Sequence, residues 1–218
     1  MQHKELDQHI KDIAIMVSQQ QGLQFDSEQE AQQHISQTTT KLQSMLKQSS
    51  AMFLEGLKYV ADSNQPPASE IARSLIQNVK YPDRMTRIIE TRIVQDPDSL
   101  AHFSEVVNHY YGCGDFHREE CMISVLLTLF PLEPQPFACY GTLIWRKDGI
   151  AEAQRFYQHI VDLFESPILD YFAADCFFKA GNKTEAKRLL ERGLENGNKE
   201  PELYSDILQF IRVMIREV

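Results

Sequence analysis

The second half of the chain is periodic, and this constrains the fold more than any other feature. From Ser99 onward, turns at Gly114-Asp115, Asp148-Gly149 and Ala180-Gly181 return at intervals of about 34 residues. Each turn lies between two helix-length stretches whose apolar residues fall at helical spacing. The units read LAHFSEVVNHYYGCGDFHREECMISVLLTLFP, PFACYGTLIWRKDGIAEAQRFYQHIVDLFES and LDYFAADCFFKAGNKTEAKRLLERGLENGNKEP. Small residues recur at matching places, Gly141 and Ala174 in the first helix of a unit and Ala153 and Ala186 in the second. Tyr157 and Leu190 follow one helical turn after the second small position. The first unit keeps Phe103, Tyr110, Gly114 and Pro131, but carries Val107 and Glu119 at its two small positions. A last amphipathic stretch, Pro201 to Val218, places Leu203, Ile207, Phe210, Ile211 and Met214 on one face. It is expected to cover the final unit, because the end of a stacked array otherwise leaves an apolar face bare.

The rest of the chain agrees with an all-α fold. Only 9 Gly and 9 Pro occur in 218 residues, and no run alternates apolar and polar residues as a half-buried strand would. Ahead of the periodic region, residues 1–97 read as irregularly helical and 98–218 as the repeat domain. A first amphipathic segment is expected from Glu5 to Gln20. A second begins after a cap at Asp26 or Ser27 and reaches roughly Lys47, with a thin stripe of Ile35, Leu42 and Met45 or Leu46. A helix so poor in apolar residues does not offset its own ordering entropy. It must pair with another helix, pair with a second copy of the chain, or stay mobile. Met52, Phe53, Leu57 and Tyr59 form a denser patch before SNQPPAS breaks the helix. Further helices are expected over Ala68 to Val79 and from Pro82, suited to a first helical turn, to Gln95. Asp98 or Ser99 should cap the next.

Lys and Arg number 22 against 31 Asp and Glu, a net charge of −9. Nucleic-acid binding draws on phosphate neutralisation by Lys and Arg, so this balance argues against such a partner. No apolar run approaches the roughly 20 residues of a membrane span, and the N-terminus lacks the basic start and cleavage site of a signal peptide. The four cysteines (Cys113, Cys121, Cys139, Cys176) show no CxxC pair or disulfide-like spacing. These features lead to the expectation of a cytosolic protein without membrane insertion.

Chemistry-bearing patterns are few. His109, Cys113, His117 and Cys121 recur at four-residue intervals, which on one helix would bring metal-ligand types to a single face. Gly112 and Gly114 interrupt that helix, so the four are not expected to converge. The sequence carries no phosphate loop, HExxH or GxSxG. No cofactor, metal or catalytic residue is assigned, and the chain is read as a binding protein.

The period, the helix pair in each unit and the small residues resemble the tetratricopeptide repeat. Beyond that, YFAADCFFKAGNKTEAKRLLERGL (Tyr171 to Leu194) resembles the last repeat of the class II type III secretion chaperones, the SycD/LcrH-like family. PFACYGTLIWRKDGIAEAQRFYQHIV (Pro136 to Val161) is similar to that family's middle repeat. The resemblance covers roughly residues 99–218. It implies a bacterial cytosolic chaperone that holds a secreted translocator or effector in a concave groove, often as a homodimer through N-terminal helices. The alternative is a repeat scaffold or regulator that joins folded components of a secretion apparatus or another assembly. Counted along the repeat, the groove-facing positions are Asn108 and Tyr111, then Thr142, Trp145 and Arg146, then Tyr171, Asp175, Phe178 and Lys179. The aromatics there would supply apolar contact at low entropy cost, and Asn, Arg and Lys could hydrogen-bond a peptide.

Overall fold

The computed structural model of the protein describes residues 28–218, and among them every regular element is helical. The helix expected from Glu5 to Gln20 lies outside the described residues. The chain divides into two compact units, Met1–Met52 and Phe53–Val218.

In the first unit the described residues belong to one helix, α1 (Glu28–Asp62), which continues into the second unit. Gln33, Gln37, Thr40, Ser44 and Gln48 are exposed at intervals of three or four residues, with Ser36 beside them, and form a polar stripe. The Thr40 hydroxyl donates to the Ser36 carbonyl at 3.0 Å. The expected end near Lys47 is corrected by the structure, which runs the helix on to Asp62. No Gly or Pro interrupts residues 47–55, and the denser patch beyond supplies a buried face through Leu57, Val60 and Ala61.

The second unit continues with α2 (Ala68–Gln77) and α3 (Pro82–Ile89), which passes into a π-helical turn over Glu90–Val94. Pro82 opens its helix as expected, where its missing N–H costs nothing. Three hairpins follow, α4 (Ser99–Tyr110) with α5 (Phe116–Leu129), α6 (Pro134–Asp148) with α7 (Ile150–Ile160), and α8 (Pro167–Lys179) with α9 (Lys183–Gly197). The last helix is α10 (Ser205–Ile215).

The hairpin ends follow from local chemistry. Gly114, Gly149 and Gly181 sit in the turns at φ values of 88°, 97° and 85°, a region that disfavours any side chain. Asp115, Ser166 and Asn182 cap the following helices by accepting from the N–H of Arg118, Leu169 and Glu185. At α4 the cap differs from expectation. Asp98 makes no side-chain cap bond, and the Ser99 hydroxyl donates instead to the Ile93 carbonyl at 2.9 Å.

Each hairpin packs on the next. Helix α5 lies against α6, α7 against α8, α6 against α8, and α10 against both α8 and α9. Two apolar cores result. The first joins Leu57, Val60, Ile71 and Leu75 to Phe103, Val106, Met122, Leu126 and Leu143. The division expected between residues 97 and 98 therefore falls inside a continuous core, because the end of α1 and all of α2 cover the first hairpin. The second core runs from Ala138 and Tyr157 through Ala174, Phe177 and Leu190 to Ile211 and Met214.

Gly141, a small position read from the sequence, is a point of close approach, and so is Gly56, which was not so read. A Cβ at Gly141 would lie 2.3 Å from Cζ of Tyr157, and one at Gly56 would lie 2.1 Å from the backbone oxygen of Cys121. Gly141→Ala and Gly56→Ala should each cost about 1–3 kcal/mol through overpacking, although alanine favours helix. Urea denaturation should also rank Gly56→Ala as the worse of the two, since its clash is with backbone that cannot rotate away.

Candidate functional site

The first helix of each hairpin contributes to a shared groove of about 420 Å³. Asn108 lines it from α4, Gln135, Ala138 and Cys139 from α6, and Ile168 and Phe172 from α8. Helix α10 and the turn before it close the other side with Leu203, Tyr204, Asp206, Ile207 and Phe210.

The groove depends on α10 being apolar on two faces. Leu208, Ile211 and Met214 are buried, the last two in the second core, whereas Phe210 is 56% exposed and Leu203 is 68% exposed. The single buried face expected from Leu203, Ile207, Phe210, Ile211 and Met214 is thus divided. Ile211 and Met214 turn inward with Leu208, and Leu203, Ile207 and Phe210 line the groove. Tyr171 is half-buried, with its ring 6.0 Å from that of Phe210 and 5.5 Å from that of Phe172.

Of the residues expected at the groove, Asn108 lines it and Tyr171 packs on its wall through Phe210 and Phe172. The others lie nearer the C-terminal ends of the same helices, with Tyr111 just past the end of α4. The Thr142 hydroxyl donates back to the Ala138 carbonyl at 3.0 Å. Trp145 is half-buried, and the Lys179 ammonium stands 4.8 Å from its ring centroid while pairing with Asp175 at 2.8 Å. Phe178 is half-buried with Lys183 5.4 Å above its ring. This second zone is aromatic and charged, in contrast to the apolar groove. The groove residues Ile168 and Phe172 were not singled out in the sequence, and Cys139 and Leu203 were read there only as a free cysteine and as part of the covering face of the last helix. Phe172 and Ile168 could have been found one and two turns before Asp175 on the same face of α8.

Arg146 has a structural partner. Its guanidinium donates to Glu119 at 2.6 and 3.3 Å, and lies 5.0 Å from the Tyr111 ring and 5.3 Å from the Phe116 ring. Glu119 is 1% exposed and also accepts from the Gly112 N–H at 3.0 Å. The residue that breaks the small-residue pattern of the first unit is therefore a buried carboxylate joining the first hairpin to the second. The bond to Glu119 raises the Arg146 pKa above its usual value, and burial raises that of Tyr111.

The expected dispersal of the His/Cys set agrees with the geometry. His109 is on α4 and Cys113 in the following turn, both exposed, while His117 and Cys121 lie on α5 with Nε2 and Sγ 3.7 Å apart. All four cysteines are free thiols, and burial pushes those of Cys121, Cys139 and Cys176 up to about 11. Among the described residues no helix is long and apolar enough to cross a membrane.

The fold and groove define an all-α protein of sequential helical hairpins with an apolar cleft along their first helices. The chain matches no protein-family model, no curated protein and no solved structure.

Removing Arg146 would leave the Glu119 carboxylate buried with only one backbone donor. Arg146→Ala should cost about 3–5 kcal/mol in chemical denaturation, whereas Lys179→Ala, which breaks an exposed pair, should cost less than about 1 kcal/mol. Adding Glu119→Ala to Arg146→Ala should recover part of the loss. A double variant as unstable as the single would show that the stranded charge is not the cause.

Proposed function

We propose that the protein is a tetratricopeptide-type binding protein that holds an extended apolar segment of a protein partner in the groove between α4, α6, α8 and α10. In this reading it is a chaperone for a secreted translocator or effector in the bacterial cytoplasm. The observation that carries the proposal is the row of incompletely buried apolar side chains, Phe172, Leu203, Ile207 and Phe210, converging on one cleft. A cleft of about 420 Å³ has the size of a ligand-binding site, commonly about 300–1,000 Å³. An extended peptide presents alternate side chains to one surface, so two or three apolar residues of a partner could fill it. Asn108 and Gln135, also at the cleft, offer both donors and acceptors for a peptide backbone. The resemblance of Tyr171 to Leu194 and of Pro136 to Val161 to the SycD/LcrH-like chaperones supplies the class of partner.

Co-expression with the proteins encoded nearby, followed by pull-down and mass spectrometry, should recover one stoichiometric partner that aggregates when produced alone. Several stable, folded partners would point to a scaffold instead. Burying a Phe side chain is worth about 1.5–3 kcal/mol. Phe172→Ala and Phe210→Ala should therefore each weaken the captured partner's binding by roughly 10- to 100-fold. Their melting curves should change little, since both side chains are partly solvent-exposed. Unchanged affinity in the double variant would remove the groove as the binding surface.

A further inference from the structure

A second cluster lies away from the groove residues, where α1 crosses α5. Glu55 projects from α1, and His117 and Cys121 lie one turn apart on α5. His117 Nε2 is 3.2 Å from Glu55 Oε1 and 3.7 Å from Cys121 Sγ, and the three ligand atoms all lie within 4.8 Å of one another. We propose that Glu55, His117 and Cys121 form a zinc(II) site with its fourth position open to water.

Two of the three ligand separations fit the metal, and the third lies within 4.8 Å. Zinc bonds of about 2.3 Å to sulfur and 2.0–2.2 Å to nitrogen and oxygen give tetrahedral edges of roughly 3.4 Å for N–O and roughly 3.6 Å for S–N. The two measured separations are close to those edges. A surface ion pair between Glu55 and His117 would account for the first distance alone. The one-turn spacing of His117 and Cys121 on α5 brings the thiol to the same ring nitrogen, and Glu55 from α1 adds a third ligand type at that point.

The cluster is also held in place. At Gly56, next to Glu55, the α1 backbone meets the Cys121 carbonyl so closely that a Cβ would lie 2.1 Å from it. The two ligand-bearing helices are thereby in contact at the site itself. The Tyr59 hydroxyl donates to Glu55 Oε1 at 2.9 Å, an outer contact of the kind that orients metal-bound carboxylates. Glu120 and Asp115 add negative charge toward Cys121, and His117 is exposed enough to admit an ion. A thiol, an imidazole and one carboxylate suit zinc and not magnesium or calcium, which take oxygen ligands. Bound there, zinc would fasten the end of α1 to the first hairpin.

The test uses the full chain, stripped with a chelator. Zinc added in competition with a chromophoric chelator should bind at one equivalent and raise the melting temperature. Cobalt(II) in its place should produce thiolate-to-cobalt charge-transfer absorption. Cys121→Ser should abolish that absorption, and His117→Ala, at an exposed position that leaves folding intact, should weaken zinc binding at least tenfold. Tyr59→Phe should weaken it by about 10- to 100-fold. Cys113→Ser should bind as the unaltered chain does. A cobalt–thiolate band that is missing from the unaltered chain, or that survives Cys121→Ser, overturns the site, as does zinc affinity in His117→Ala within about twofold of the original.

Discussion

Helix α6 is the shared wall of the molecule, and its position depends on the absence of a side chain at Gly141. The Tyr157 ring lies where a Cβ of residue 141 would be, and its hydroxyl donates to the Ala138 carbonyl at 3.1 Å, less than one turn earlier on α6. Tyr157 is fully buried, so this bond satisfies a hydroxyl that would otherwise be costly to desolvate, and burial drives its pKa upward. With α7 drawn this close, α6 gives Leu143 to one core and Ala138 to the other. The register of hairpins on both sides follows from that placement.

The same structural place is filled differently in the hairpin before it. Where the later units have Ala153 and Ala186, the first has Glu119, and van der Waals contact is replaced by a two-pronged ion pair with Arg146. A second arginine closes the last hairpin in a comparable way. Arg192 of α9 donates to Asp170, to Asp162 at 2.6 Å and to the Val161 carbonyl at 2.9 Å, and Asp170 is fully buried. Burial raises the Asp170 pKa while the guanidinium opposes it. Buried ion pairs add little net stability over apolar packing, but they disfavour misregistered pairings that would strand a charge. The hairpins thus gain distinct junctions with one another.

What the sequence made legible was local. Repeat turns at glycine, the helix start at Pro82 and the close approach at Gly141 each depend on residues within a few turns of one another. The partner of Arg146 lies 27 residues away on another helix, and that of His117 lies 62 residues away. No periodicity reports such pairings. Counting along the repeat pointed to α4, α6 and α8, the helices that line the cleft, and to Asn108 among its lining residues. It placed the others toward the C-terminal ends because nothing local shows that α10 covers the N-terminal ends of α6 and α8. The two-faced character of α10 was visible as an excess of apolar residues, Leu208 and Val213 among them, but their division between core and cleft is a tertiary property.

That division bears on why the cleft exists. Leu208, Ile211 and Met214 are the buried residues by which α10 docks on α8 and α9, whereas Leu203 and Phe210 are largely exposed. Contiguous apolar surface carries an aggregation hazard, which selection for stability alone would remove. Here Phe172, Leu203 and Phe210 keep substantial exposure around a cleft, in a chain whose net charge of −9 favours separation of its own copies. In the function proposed above, an extended, apolar stretch of another polypeptide would cover them, and its shape and chemistry suit the cleft.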